Sequence, residues 1–155
     1  MSIDRRLSEL GLTLPKPAAP VAAYVPSVES SGFLYISGQL PFREDGSLIV
    51  GRLGESTDIP GGIEAARRCG VMLLAQIGAA LDGDFERIER IVKLGVFVSS
   101  TPQFTDQPKV ANGASELMVE VLGDIGRHAR SAVGVAVLPF GAPVEVDAII
   151  AIRAS

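Results

Sequence analysis

The chain has 155 residues, a length that one ordinary domain fills, with 47% hydrophobic and 21% charged side chains, which excludes disorder. Eighteen acidic against fourteen basic residues leave a net charge of −4, so the phosphate attraction that drives nucleic-acid binding is missing. A single cysteine rules out an intrachain disulfide and points to a reducing setting, and a single histidine rules out a His-rich metal centre within one chain.

Residues 1–12 read as a short helical lead and 13–20 (TLPKPAAP) as an extended arm punctuated by proline. Charges at Asp4, Arg5, Arg6 and Glu9 leave no room for the apolar core of a secretory signal. The uncharged stretch Ser131–Val144 is too short to span a bilayer, so a soluble cytoplasmic protein is expected. We take 1–20 as an N-terminal arm and 21–155 as one domain. A first strand is expected over Ala22–Val28 and a stronger one over Phe33–Leu40 (FLYISGQL), rich in aromatic and β-branched residues. An Asp-Gly turn in 43–47 follows, with Ser47–Val50 as a possible hairpin arm.

IPGG (59–62) opens a helix whose apolar positions Ile63, Ala66, Gly70, Leu73, Ile77 and Ala80 step by three and four, and Asp82-Gly83 ends it. Ile91–Ser99 reads as a strand. A second helix is expected over about 103–122, capped by Gly123, with strands at Ser131–Leu138 and Val144–Ile152 joined by PFGAP. The order is α+β, with two helices on one face of a mixed sheet. The last strand carries Val146, Ala148, Ile150 and Ile152 on one side, yet Ile149 and Ala151 on the other. Two helices cover only one face, so the second face needs a cover. A second copy of the chain is the economical one and the proline-rich arm the alternative, which predicts a homo-oligomer.

Phosphate-binding, zinc-protease, dithiol and nucleophile-elbow motifs are all missing. Cys69 reads as a small buried thiol and His128 as a surface side chain. Arg130 enters one strand, and Glu145 and Asp147 sit two apart on its expected partner strand, sharing a face that points away from Val146 into the surface that needs a cover. A guanidinium near two carboxylates is either an interface ion cluster or an anion-binding arginine beside an acid–base carboxylate.

YISGQLPF (35–42), VFVSS (96–100), ARSAVGVAVLP (129–139) and VEVDAIIAI (144–152), in that order, resemble the RidA family, also known as YjgF. The resemblance runs from about Tyr24 to Arg153. It implies a chorismate-mutase-like α+β fold and a homotrimer with clefts between subunits. It also implies hydrolysis of reactive enamines and imines of the 2-aminoacrylate class to 2-keto acids and ammonia, with no metal or organic cofactor. By the same resemblance Arg130 holds the substrate carboxylate and Glu145 positions water. Tyr24, Ser37, Gly38, Asn112, Ser131 and Ala132 line the substrate. Three positions depart from the best-known branch: Ala132 where cysteine is frequent, Gly134 where glutamate is common and His128 where proline is common. They bear on substrate and rate rather than fold. Competing activities are non-catalytic binding of a small carboxylate and the ribonuclease activity attached to some members. The negative charge and 5% aromatic content disfavour the ribonuclease.

Overall fold

A computed structural model describes residues 2–17 and 23–155. The N-terminal segment forms helix α1 (Ile3–Glu9), capped by the Ser2 hydroxyl, which accepts from the Arg5 N–H. Leu7 is buried in the main core, and Arg6 donates to the Glu120 carbonyl at 3.1 Å. Leu12 and Leu14 also pack against that core. The described part of the arm therefore lies on the helical side and leaves the other sheet face uncovered.

Strands β1 (Ser27–Ser30) and β2 (Phe33–Gln39) form a hairpin through Ser31-Gly32. Both turn residues have positive φ (52° and 82°), as a two-residue turn matched to strand twist requires. The first strand thus lies later than Ala22–Val28, because this turn sets the pairing register; Ala22 itself falls outside the described residues. Ser47–Val50 forms no strand and leaves only a bridge between Phe42 and Leu48. The Asp45 carboxylate accepts from the Ser47 N–H at 2.8 Å and closes that turn locally.

Helix α2 (Ile59–Ala80) begins where the Asp58 carboxylate accepts from the Gly61 N–H at 2.8 Å. Strand β3 (Ile88–Ser99) follows. Helix α3 (Gln107–Leu122) starts four residues later than expected, with Pro108 in its first turn, and Gly123 (φ 68°) ends it. Strand β4 (Ala129–Val135) stops three residues short of Leu138. Its parallel partner β3 ends at Ser99, opposite Val135, so further residues have no ladder to join. Strand β5 (Val144–Ile152) lies as expected.

The sheet order is β1-β2-β5-β3-β4. Only β3 and β4 run parallel; the other neighbours are antiparallel. The last two strands, consecutive in sequence, are therefore not partners, because β3 lies between them. Leu34, Ile36, Leu94, Val96, Val146 and Ile150 point under α2 and α3 and are buried. Cys69 belongs to this core, its thiol donating to the Val144 carbonyl at 3.5 Å, and burial raises its pKa well above the ordinary value. The opposite face is open. Phe33, Tyr35, Val28 and Val133 are exposed there, with Tyr35 at 45% and its ring 6.4 Å from that of Phe33. No helix among the described residues is long and apolar enough to cross a membrane.

Candidate functional site

The strand period decides where each candidate side chain goes. Arg130 pairs with Leu94 and Ala132 with Val96, both buried positions, so Arg130 and Ala132 face the helices. Glu145 pairs with Phe97 and Asp147 with Gly95, so both carboxylates face the open side, with Ser131 across from Gly95. Arg130 and Glu145 sit on strands separated by β3, roughly 10 Å apart by strand spacing alone, and on opposite faces. The expected meeting of guanidinium and carboxylates does not occur within one chain, because the intervening strand and the pleat both separate them.

On the helical side, Arg130 is held by α3. Its Nη1 donates to Asn112 Oδ1 at 2.9 Å and to Ser115 Oγ at 3.1 Å, and its Nη2 donates to the Pro108 carbonyl at 3.4 Å. Among the described residues its Nε–H has no acceptor, and no carboxylate forms an ion pair with it. The Nε–H and the remaining Nη2–H therefore form an unclaimed fork, the edge that grips a carboxylate bidentately. Asn112 thus serves the guanidinium directly. A groove of about 570 Å³ adjoins the arginine, lined by Ser115, Glu116, Val119, Arg127 and His128 among others.

His128 is half-buried rather than a free surface group. Its Nδ1 lies 2.6 Å from the Gly126 carbonyl and its Nε2 2.9 Å from Ser115 Oγ. Burial lowers its pKa, the Gly126 carbonyl opposes that, and the Arg130 charge adds to the lowering. Sequence reasoning passed over Ser115 and this role of His128. The signals were spacings: Asn112 and Ser115, three apart, share a helix face, and His128 lies two residues before Arg130 at the entry to β4.

On the open side, β2 carries a bulge. Ile36 pairs with Ala148 but Gln39 with Val146, so three steps on β2 match two on β5. The extra residue turns Gly38 outward and Gln39 inward, where Gln39 is buried and its Nε2 donates to the Ser37 carbonyl at 3.1 Å. The missing side chain at Gly38 makes room for Glu145: a Cβ there would lie 2.6 Å from the Glu145 carboxyl carbon. Gly95 does the same for Asp147. Burial raises the Glu145 pKa above its ordinary value, with the Asp147 charge adding to it. Burial also raises Asp147, partly opposed by the Gly95 backbone and Lys93. A concavity of about 520 Å³ on this face includes Ser37, Tyr35, Lys93, Ser131 and Asp147. Tyr24 precedes β1 and is 65% exposed.

Two half-sites result: an oriented guanidinium on the helical side, and a carboxylate pair with Ser37 and Gly38 on the open side. Residues 15–152 match the family described as Endoribonuclease L-PSP, and the chain belongs to that family. Protein TCP17 of Trypanosoma cruzi is 52% identical over 149 residues, covering 96% of this chain and 92% of that one. The crystal structure of Atu1372 from Agrobacterium tumefaciens is 48% identical, with a TM-score of 0.90 over 98% of this chain and 94% of that chain. RidA from an Antarctic Psychrobacter is 30% identical, with a TM-score of 0.60 over 90% of this chain and 96% of that chain. The mixed α+β architecture is that of the YjgF/RidA structures.

Proposed function

We propose that the protein hydrolyses reactive 2-imino and 2-enamino acids to 2-keto acids and ammonia, at a composite site made between copies of the chain. The observation that carries this reading is the Arg130 fork, oriented by three α3 acceptors and left open along Nε and Nη2. In the composite, Arg130 with Ala132 of one copy faces Ser37, Gly38, Glu145 and Tyr24 of the next, and Asn112 and Ser131 support the two sides. The two patches differ, so such a contact is head-to-tail and closes into a ring, which accords with a trimer. It would also cover the apolar open face.

The chemistry asks little of the protein. The substrate is an iminium carboxylate whose carbon is already electrophilic. Arg130 holds its carboxylate and fixes the C=N carbon in place. Glu145 accepts a proton as water oxygen bonds to that carbon, and the C=N pair moves to nitrogen. Protonated Glu145 returns its proton to the amine, the C–N bond breaks with its electron pair going to nitrogen, and the hydroxyl proton passes to the departing ammonia as the keto C=O forms, so that ammonium leaves. A carboxyl with a raised pKa suits this exchange of one proton in each direction. The test is to generate 2-iminopropionate or 2-iminobutanoate with a dehydratase and follow keto-acid release. Acceleration by the wild type that disappears in Arg130→Ala is expected. No acceleration, or full retention in the variant, overturns the reading. Calorimetric binding of keto acids without turnover would instead identify a carboxylate-binding protein.

A further inference from the structure

We propose that Ser115 and His128 are a proton-dependent positioning pair that sets how tightly Arg130 holds a small carboxylate. The inference rests on the reading of Arg130 as a carboxylate clamp and adds its regulation.

The hydrogen-bond directions follow from which atoms can donate. The Gly126 carbonyl only accepts, so the proton of the neutral ring sits on Nδ1, 2.6 Å away. Nε2 is then an acceptor, and the Ser115 hydroxyl donates to it at 2.9 Å. The Ser115 oxygen in turn accepts from Arg130 Nη1 at 3.1 Å. In this state the serine proton is turned into the ring and away from the groove.

A second proton on the ring reverses one link. Nε2–H becomes a donor, and the Ser115 oxygen accepts from both His128 and Arg130. Its own proton is then free to point into the groove. The arginine thereby gains a neighbouring cation and a neighbouring hydroxyl donor, and both favour an anion on its open fork. Linkage requires the converse: a bound carboxylate offsets the Arg130 charge felt by the ring and draws a proton onto it.

The other charges around the ring are accounted for. From α3, Glu116 and Glu120 line the groove, and Glu120 is paired to Arg67 of α2 at 3.0 Å. From the preceding loop, Arg127 also lines it, paired to Asp124 at 3.4 Å. Arg90 of β3 donates to the Arg127 carbonyl at 3.2 Å. Arg130 reaches the ring through the shared Ser115 hydroxyl. Glu145 and Asp147 of the same chain lie on the other face of the sheet, whereas in the composite site Glu145 of the next copy faces Arg130 and titrates independently of the ring.

The chain has one histidine, so its ring resonances are unambiguous. The experiment titrates the full-length protein by NMR with and without saturating pyruvate, and measures pyruvate affinity by calorimetry from about pH 5 to 8. In the wild type the His128 midpoint rises with pyruvate, and affinity tightens by about three- to tenfold per pH unit on acidification across the ring's titration. The His128→Gln variant, whose amide oxygen accepts from Ser115, loses the part of the slope that belongs to the ring and keeps only that of the facing copy's Glu145. Ser115→Ala keeps binding but loses most of the slope. An unmoved midpoint in the wild type, or an equal slope in His128→Gln, overturns the pair while leaving the clamp intact. Unchanged binding in Arg130→Ala, or no binding by the wild type, overturns clamp and pair together. The midpoint measurement needs no variant, so a failure of His128→Gln to fold leaves the proposal falsifiable.

Discussion

The two half-sites are built by different means. On the helical side, hydrogen bonds hold the functional group: three α3 acceptors aim the Arg130 guanidinium, and the Ser115–His128 pair stands behind it. On the open side, empty space holds it: Glu145 and Asp147 lie where Gly38 and Gly95 have no side chains. The Arg130 guanidinium is given polar partners, whereas the Glu145 and Asp147 carboxyls are partly desolvated, which lifts their pKa. The first half tolerates little change of chemistry and the second little change of volume.

The largest expected effect breaks the polar half. Arg130→Ala should lower imine hydrolysis by about a hundredfold or more. Its melting temperature should stay close to wild type, since half-exposed groups contribute little to stability. Arg130→Lys should recover only part of the rate, because a point charge replaces a planar fork. Mixing the halves tests their separation. Arg130→Ala and Glu145→Gln proteins, each inactive alone, are refolded together. About one quarter of wild-type activity should return if each site takes its arginine and its carboxylate from different copies. No recovery would mean that both come from one chain, contrary to their placement on opposite faces.

The open half should answer to volume. Gly38→Val displaces the flexible Glu145 side chain, so we expect about a tenfold loss of turnover with little loss of stability. The smallest effect is on pH and stability. The folded chain keeps protons on Glu145 and Asp147 that the unfolded chain has already released. Stability should therefore fall as pH rises from the ordinary carboxylate range through the raised values, and level off above them. Glu145→Gln should shrink that decline, as thermal melts from about pH 4 to 7 would show.

Most elements were legible in the sequence because their causes are local. The apolar stripe of α2, the alternation of β5 and the Gly123 cap are read from neighbours a few residues away. The boundaries that moved have local causes that were outvoted. The second long helix begins at Gln107 rather than near 103, with Pro108 in its first turn, and the Ser31-Gly32 turn set the first hairpin. The outward direction of Glu145 and Asp147 was likewise legible, since side-chain period follows from the strand alone. The acceptors that orient Arg130 were not, because Asn112 and Ser115 lie 18 and 15 residues away on another element.

The amino-acid order by itself determined which residues form strands and helices, which side of each strand is apolar, and that one sheet face is left over. Only the tertiary structure decided that β3 enters between β4 and β5 and that a bulge at Ser37-Gly38 turns β2 over. Strand order is a choice among distant pairings of similar local quality, settled by how the whole core closes. That choice sets β3 between Arg130 and Glu145, while the pleat of each strand turns them to opposite faces of one sheet.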